Sequence, residues 1–269
     1  MSVVGIIPAR YGSTRFPGKA LAQLNGTSLI QHVYERAKQA RHLDQVIIAT
    51  DDERIAQAVT RFGGRAMMTS AEHRSGTERV AEVARALDAQ TIINIQGDEP
   101  LIRPDQIDQL AAFLAAHQAV PMATLMTKLV REDDLTSPHV VKVVVDQDGY
   151  ALYFSRSAIP NVRTSEGSRV KGQGSRDEQT PSPFTLHPSP YFKHIGLYGY
   201  QRHFLLQLPH LAPTPLEQCE QLEQLRVLEH GHKIKVLETS YDTIGVDTPD
   251  DVARVEALMA KSSGTEVWG

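Results

Sequence analysis

The stretch Val3-Val4-Gly5-Ile6-Ile7-Pro8-Ala9-Arg10-Tyr11-Gly12-Ser13-Thr14-Arg15-Phe16-Pro17-Gly18-Lys19 begins the chain and decides its fold. Its first part is apolar without a break, which is typical of a strand buried on both faces of a sheet. A loop rich in glycine, hydroxyl groups and cations follows directly. The spacing of Leu29, Ile30, Val33 and Ala37 then predicts an amphipathic helix.

The same alternation continues through the first half of the chain. Residues 46–49 and 91–95 are further buried strands by their apolar runs, while 51–62 and 76–87 have helical patterns. Buried strands that alternate with helices predict an α/β fold, with a mainly parallel sheet covered by helices on both faces. In such folds ligands bind beyond the carboxyl ends of the strands.

The pattern changes after residue 136. Residues 140–145, 150–154 and 195–200 are strand-like with few helices between them, which predicts a smaller antiparallel β extension. Between them, residues 161–190 are rich in Ser, Gly, Pro and charge and predict a long mobile loop or lid. Helical patterns return at 216–230 and 250–260.

Composition narrows the class of protein. With 269 residues, 41% apolar and 22% charged, the chain is an ordinary globular protein, and no apolar run approaches the roughly 20 residues of a membrane helix. A net charge of −4 argues against broad binding to nucleic acid. Because Cys219 is the only cysteine, no internal disulfide can form. We expect Cys219 in the core and, with no secretion signal visible, a cytoplasmic location.

The loop at 10–19 has the composition of a polyphosphate site. Arginine binds phosphate oxygens in bidentate fashion, lysine adds a point charge, and glycine lets backbone N–H groups approach. The alternative is a solvated surface loop, but the place at the end of a strand favours the phosphate site. It is no P-loop, since five residues separate Gly12 from Gly18 and Ala20 replaces the required hydroxyl. A dinucleotide fingerprint is also missing.

Two carboxylates are candidate metal ligands. Asp98 follows the strand at 91–95 and so emerges at the same sheet edge, although Glu99 competes for the role and a plain turn before a helix at Pro104 is the alternative. Mg²⁺ on a triphosphate usually takes one or two carboxylates.

The second carboxylate precedes the last helix. Thr248 suits the N-cap, Pro249 the first helical position and Asp251 a capping box. Asp247 lies outside this cap and is therefore available to reach a metal together with Asp98.

Five segments occur in one order along the chain: RYGSTRFPGK at 10–19, SGTER at 75–79, QGDEP at 96–100, YFSR at 153–156 and GVDTP at 245–249. As an ordered set over nearly the whole chain, they resemble the 3-deoxy-manno-octulosonate cytidylyltransferases, the CMP-Kdo synthetases of lipopolysaccharide biosynthesis. The resemblance implies a nucleotide-diphosphosugar-transferase-like fold, CTP and Mg²⁺, and a homodimer formed through the β extension.

The resemblance also implies a division of the chain. Residues 1–269 would form a single nucleotidyltransferase domain, in which 1–135 bind the nucleotide, 136–215 supply the β extension, lid and dimer contacts, and 216–269 complete the site.

Site residues follow by matching motifs. The implied nucleotide contacts are Ala9, Arg10, Ser13, Arg15, Lys19, Arg74, Ser75, Gly76 and Asp98. The implied catalytic set is Arg10, Lys19, Asp98 and Asp247, with Asp98 and Asp247 as magnesium ligands. The implied sugar contacts are Arg156 to the carboxylate and His194, Tyr198, Glu223 and Gln224 to hydroxyls.

The sugar contacts have structural alternatives. Tyr198 fits a core strand and Glu223 an exposed helix charge, whereas Arg156 ends an apolar strand and needs an anionic partner if it is buried. Here Ile159-Pro160 precedes Asn161-Val162-Arg163, where the family commonly has a Trp-Asp-Arg-like sequence.

That departure leaves the accepted acid open, to Kdo, 8-amino-Kdo or a sialic acid. The implied reaction is in-line attack of the anomeric hydroxyl on the α-phosphorus of CTP, and no dedicated side-chain base is evident. A nucleotide sensor without activity is the alternative from another class, and the retention of Asp98 and Asp247 argues against it.

Overall fold

The computed structural model describes residues 2–12, 16–162 and 190–262. The strands are β1 (Val3–Ala9), β2 (Gln23–Leu24), β3 (Thr27–Ser28), β4 (Gln45–Thr50), β5 (Ala66–Met68), β6 (Thr91–Asn94), β7 (Met122–Lys128), β8 (Lys142–Val145), β9 (Ala151–Ser155), β10 (Phe192–Gln201) and β11 (Lys235–Glu238). The α-helices are α1 (Leu29–Ala37), α2 (Glu53–Arg61), α3 (Gly76–Arg85), α4 (Pro104–Ala116), α5 (Glu132–Thr136), α6 (Arg202–Leu205), α7 (Pro215–Glu220), α8 (Gln224–Glu229) and α9 (Pro249–Ser262). Short 3₁₀ helices lie at Lys19–Leu21 and Leu208–His210.

One mostly parallel sheet organises the described residues. Its order is β11-β7-β10-β6-β1-β4-β5, and β10 runs antiparallel to both β6 and β7. Strands β8 and β9 continue from β10 as an antiparallel branch. The predicted parallel sheet with an antiparallel extension is therefore confirmed, and the extension is joined to the main sheet through β10.

Helices cover both faces of this sheet, as predicted. Successive residues of β1 point to opposite sides: Val3 and Ile7 pack in one core with α1, α2 and α4, whereas Val4 and Ile6 pack in another with α3, α6 and α8. Each fully buried aliphatic side chain contributes about 2 kcal/mol. The two cores fix β1 and β6 side by side, so their carboxyl ends form one edge.

A third core joins the two ends of the chain. Leu24 and Leu29, which follow the loop at 10–19 (the basic loop), pack against Val246 and Val255. This contact holds the start of α9 beside the loop that follows β1. The position of residue 247 is therefore set by burial of its neighbour Val246.

The prediction of one continuous helix at 216–230 is wrong. It is broken into α7 and α8 at Gln221, whose φ of 54° lies in the left-handed region. Leu222 and Leu225 beyond the break are both buried in the core under α3. Tertiary packing therefore prevails over the helical spacing of the leucines.

Cys219 and the predicted loop at 161–190 differ in whether the structure describes them. Cys219 on α7 is exposed, so the expectation that it packs in the core is wrong. Most of the predicted loop at 161–190, namely 163–189, lies outside the described residues. In the part of the chain that the structure describes, no helix has both the length and the apolar character that crossing a membrane requires.

Candidate active site

A cleft opens at the carboxyl ends of β1 and β6, beside the start of α3. Eight residues of the predicted nucleotide and metal sets line it: Ala9, Arg10, Lys19, Arg74, Ser75, Gly76, Asp98 and Asp247. The remaining two, Ser13 and Arg15, lie outside the described residues.

Two glycines let the loops approach each other closely. A Cβ at Gly97 would stand 2.8 Å from the carbonyl oxygen of Pro8, so the loop after β6 can touch the end of β1 only with glycine there. Gly18 has a φ of 73° and packs against the ring of Tyr11, and its N–H donates to the Tyr11 carbonyl over 2.9 Å. The second contact closes the basic loop at its base and places Lys19 at the cleft.

Lys19 brings the two candidate carboxylates together. Its Nζ donates to Asp98 Oδ2 over 2.7 Å and to Asp247 Oδ1 over 3.2 Å. Both carboxylates therefore lie within reach of one cation, although they are far apart in sequence. Charge-assisted hydrogen bonds of this kind are among the stronger ones in proteins.

Local bonds orient Asp247 independently of Lys19. Asp251 Oδ2 accepts the Thr248 hydroxyl over 2.9 Å, the Thr248 N–H over 2.9 Å and the Asp247 N–H over 3.0 Å, which is the predicted cap of α9. The N–H of Val246 donates to the carbonyl of Asp98 over 2.8 Å. The backbones that carry the two carboxylates are thus bonded to each other.

These carboxylates fit a magnesium site that is completed by the substrate. The described residues contain no group of three or more His, Cys, Asp and Glu side chains that could hold a metal ion by itself. Mg²⁺ commonly takes one or two carboxylates and completes its octahedron with phosphate oxygens and water. Asp98 and Asp247 therefore suit Mg²⁺ that arrives with a polyphosphate.

Glu99, the competing candidate, is not among the described residues that line the cleft. Burial, together with the nearby charge of Asp98, raises the pKa of its carboxyl to about 8. Its Oε2 atom is buried and has no hydrogen-bond partner among the described residues. Asp98 lines the cleft and bonds Lys19, so it remains the better candidate.

The N-terminus of α3 forms one wall of the cleft. The Ser75 side chain accepts the N–H of Glu78 over 3.2 Å, and the Glu78 carboxylate accepts the N–H of Arg74 over 2.7 Å. Helix N-termini present unpaired N–H groups and favour anions.

Arg79 on the same helix also lines the cleft and was not predicted. It is buried, and its guanidinium lies 3.1 Å from the Asp51 carboxylate. The sequence did contain a signal for this residue, because Arg79 is a cation within the SGTER segment and lies on the side of α3 that is buried.

A second, smaller cavity lies on the other side of α3. Of the predicted sugar contacts, Tyr198, Glu223 and Gln224 line it. Burial raises the pKa of Tyr198 well above its ordinary value, with a further contribution from Glu223, so its hydroxyl keeps its proton. The cavity thus offers a protonated phenol and a carboxylate on facing elements.

The other two predicted sugar residues do not occur among the described residues that line either cavity. His194 is buried, with its Nε2 3.0 Å from Thr124 Oγ1 and its ring edge-on to Phe154. Burial lowers the pKa of His194 to about 3, so the ring is neutral. It packs beside Tyr198 with a centroid separation of 5.4 Å.

Arg156 finds its partners within the chain. Its Nε donates to the Glu220 carbonyl over 2.8 Å and its Nη1 to the Pro138 carbonyl over 2.9 Å. Its backbone N–H donates to the Glu220 carboxylate over 3.0 Å. Arg156 therefore has partners without a substrate anion, and its contact with a sugar carboxylate stays a prediction.

Comparisons with known proteins agree on one family. The family model described as Cytidylyltransferase matches residues 4–234. The chain is 53% identical to the 3-deoxy-manno-octulosonate cytidylyltransferase of Geobacter metallireducens, over 97% of this chain and 99% of the relative. It is 54% identical to the enzyme of that name from Geotalea uraniireducens, over 97% and 100% of the two chains.

Solved structures give the same picture. A CMP:2-keto-3-deoxy-manno-octonic acid synthetase complexed with CTP is 42% identical, with a TM-score of 0.85 over 97% of this chain and 100% of the other. The 4-diphosphocytidyl-2C-methyl-D-erythritol synthase of Anaerococcus prevotii superposes with a TM-score of 0.59 at 12% identity over 96% and 98% of the two chains. The second likeness is one of fold alone.

Proposed function

The chain belongs to the cytidylyltransferase family, and from that premise we propose how it transfers CMP from CTP to the anomeric hydroxyl of 3-deoxy-D-manno-octulosonate (Kdo). The reaction gives CMP-Kdo and pyrophosphate for lipopolysaccharide biosynthesis. The observation that carries the proposed site is the cluster in which Lys19 bonds both Asp98 and Asp247 at the edge of the sheet.

We propose that CTP lies in the cleft at the ends of β1 and β6. Arg10 and Lys19 would bind the triphosphate, with Ser13 and Arg15 beside them, and the segment 74–76 would border cytosine and ribose. The N-terminus of α3 and the cations of the cleft both favour an anion there. Arg10 is exposed at the end of β1, where it can reach a phosphate.

Asp98 and Asp247 would hold Mg²⁺ together with phosphate oxygens. When bound, Mg²⁺ neutralises charge on the phosphates of the substrate. Lys19 and Arg10 add fixed positive charge at the same place, so the chain contributes mainly positioning and charge neutralisation. The anomeric oxygen forms a bond to the α-phosphorus as the bond to pyrophosphate breaks, and the proton of the hydroxyl passes to water.

The sugar would occupy the cavity beyond α3. Tyr198 donates a hydrogen bond, Glu223 accepts one, and Gln224 can do both, which suits a polyhydroxylated acid. His194 would support Tyr198 from the core. Arg156 would take part only if its guanidinium exchanges a backbone carbonyl for the sugar carboxylate.

The direct test is pyrophosphate release from CTP, Mg²⁺ and Kdo, with Asp98→Asn and Asp247→Asn. We expect each variant to lose at least about 100-fold in rate while remaining folded. Asp250→Asn is the matched control, because this exposed residue of α9 carries the same charge close to Asp247. Near-normal rates in both site variants would refute the metal assignment.

A substrate panel resolves the alternatives left by the sequence. Kdo should give a higher kcat/KM than 8-amino-Kdo or sialic acid. Binding of CTP with no pyrophosphate from any of these acids would instead indicate a nucleotide sensor.

We also propose a homodimer through the β extension and a location in the cytoplasm. Leu152 on β9 is 61% exposed, which suits an apolar contact with a second copy. Leu152→Glu should shift the sedimentation coefficient from dimer to monomer, and an unchanged coefficient would place the interface elsewhere. A single cysteine in the chain suits a reducing compartment.

A further inference from the structure

We propose that Thr77 is a positioning residue for the sugar, and that its hydroxyl fixes the carboxylate of Glu223 in the cavity beyond α3. The inference rests on the proposed role of Glu223 in sugar binding. It adds a residue that the motif comparison did not assign to the sugar site.

The contact joins two distant parts of the chain. Thr77 Oγ1 donates to Glu223 Oε2 over 2.5 Å, across 146 positions of sequence. Thr77 is 7% exposed and lies in the first turn of α3, next to Gly76 in the wall of the nucleotide cleft. Glu223 lies in the break between α7 and α8. The bond therefore links the helix that separates the two cavities to the loop that supplies the carboxylate.

The other charged groups of the cavity do not replace this donor. Arg226 also lines the cavity, but its guanidinium is paired with Glu217, through Nε at 2.7 Å and Nη2 at 2.5 Å. Glu78 adds a second negative charge to the lining. Among the described residues, Thr77 is the side-chain hydrogen-bond donor to Glu223.

The Thr77 side chain is held in place by burial, because it lines the cavity beside the buried Tyr200 and is itself buried. Because Thr77 takes Oε2 of Glu223, the geometry assigns Oε1 to a hydroxyl of the sugar. Loss of the Thr77 hydroxyl would leave the carboxylate free to rotate, and the sugar would meet a less ordered acceptor.

Two variants of Thr77 separate this role from a merely structural one. Thr77→Val keeps the shape and removes the hydroxyl, whereas Thr77→Ser keeps the hydroxyl and removes a methyl group. We expect Thr77→Val to raise the KM for Kdo about tenfold, as for loss of a hydrogen bond to a charged group. The KM for CTP should stay within about twofold, and Thr77→Ser should restore the KM for Kdo to within about threefold of the parent.

Glu223→Gln and the double variant with Thr77→Val complete the cycle. If the two residues act as a unit, the double variant should raise the KM for Kdo no further than Glu223→Gln alone. Thr77→Ala supplies the same comparison if Thr77→Val does not fold, as judged by its thermal transition.

The outcomes distinguish the two proposals. An unchanged KM for Kdo in Glu223→Gln would overturn the sugar role of Glu223, and with it the positioning role of Thr77. A raised KM in Glu223→Gln with a normal one in Thr77→Val would overturn the positioning role alone. Equal increases in the KM for CTP and for Kdo in Thr77→Val would show that the hydroxyl serves α3 as a whole, which also overturns it.

Discussion

Replacing His194 by Gln should remove a pH-dependent loss of stability. The ring of His194 is buried against Phe154, and burial lowers its pKa from 6.5 to about 3. On unfolding, the imidazole returns to water and recovers its ordinary pKa. Because the folded pKa is the lower one, the unfolded chain takes up the proton first as the pH falls. Stability is therefore lost as the pH falls from about 6.5 towards 3.

The size of the effect follows from proton linkage. Well inside this window one extra proton binds on unfolding, which costs about 1.4 kcal/mol per pH unit. Between pH 8 and pH 5 the wild type should lose roughly 2 kcal/mol through His194 alone. That is a substantial part of the 5–15 kcal/mol typical of a folded domain.

Urea unfolding at pH 8, 6.5 and 5 provides the assay. Gln can place its amide near the position of Nε2 and keep a hydrogen bond to Thr124. Other groups titrate alike in both proteins, so the difference in unfolding free energy isolates His194. His203→Gln, which removes an exposed histidine, is the matched control and should follow the wild type. Parallel pH profiles for wild type and His194→Gln would refute the neutral, buried imidazole.

Two further substitutions test contacts that support the site. Lys142→Met should lower the unfolding free energy by about 3 kcal/mol, because the buried Nζ donates to three backbone carbonyls, including that of Arg156. A urea midpoint equal to that of the wild type would contradict this. Arg54→Met should raise the KM for CTP about two- to fivefold, since the guanidinium stacks on Tyr11 at the base of the basic loop, 3.3 Å from the ring centroid. Steady-state kinetics measure the KM for CTP, and Arg61→Met, which changes an exposed residue on the same helix, is the control. A KM for CTP equal in Arg54→Met and in the wild type would show that the stack does not support the loop.

Much of the fold was predictable because its signals are local. Burial is predicted directly by unbroken apolar runs such as Val3–Ala9 and by the helical spacing of apolar residues in Leu29–Ala37. The alternation of such strands and helices predicts a parallel sheet. The meeting of Asp98 and Asp247 was likewise foreseeable, since one follows a strand and the other is left over from a helix cap. What the sequence did not predict is that Lys19, from a third segment, bonds both.

Other features depend on contacts between distant segments. The leucine spacing at 216–230 is compatible with one long helix and with two short ones. Only packing against the core selects the left-handed turn at Gln221 that separates the two. The bond from Thr77 to Glu223 has no sequence signal at all, because threonine in a helix's first turn and glutamate near another helix's start are both ordinary.

The two halves of the site therefore differ in what constrains them. The nucleotide cleft is made of loops that follow parallel strands, so the strand order itself brings Arg10 and Asp98 together. The cavity proposed for the sugar lies between α3, β10 and α8, and its Glu223 carboxylate is bonded by Thr77 from a distant segment of the chain. Because this cavity and the cleft lie on different sides of α3, variants of Thr77 and Glu223 should alter the ranking of acids in a substrate panel while the KM for CTP stays constant.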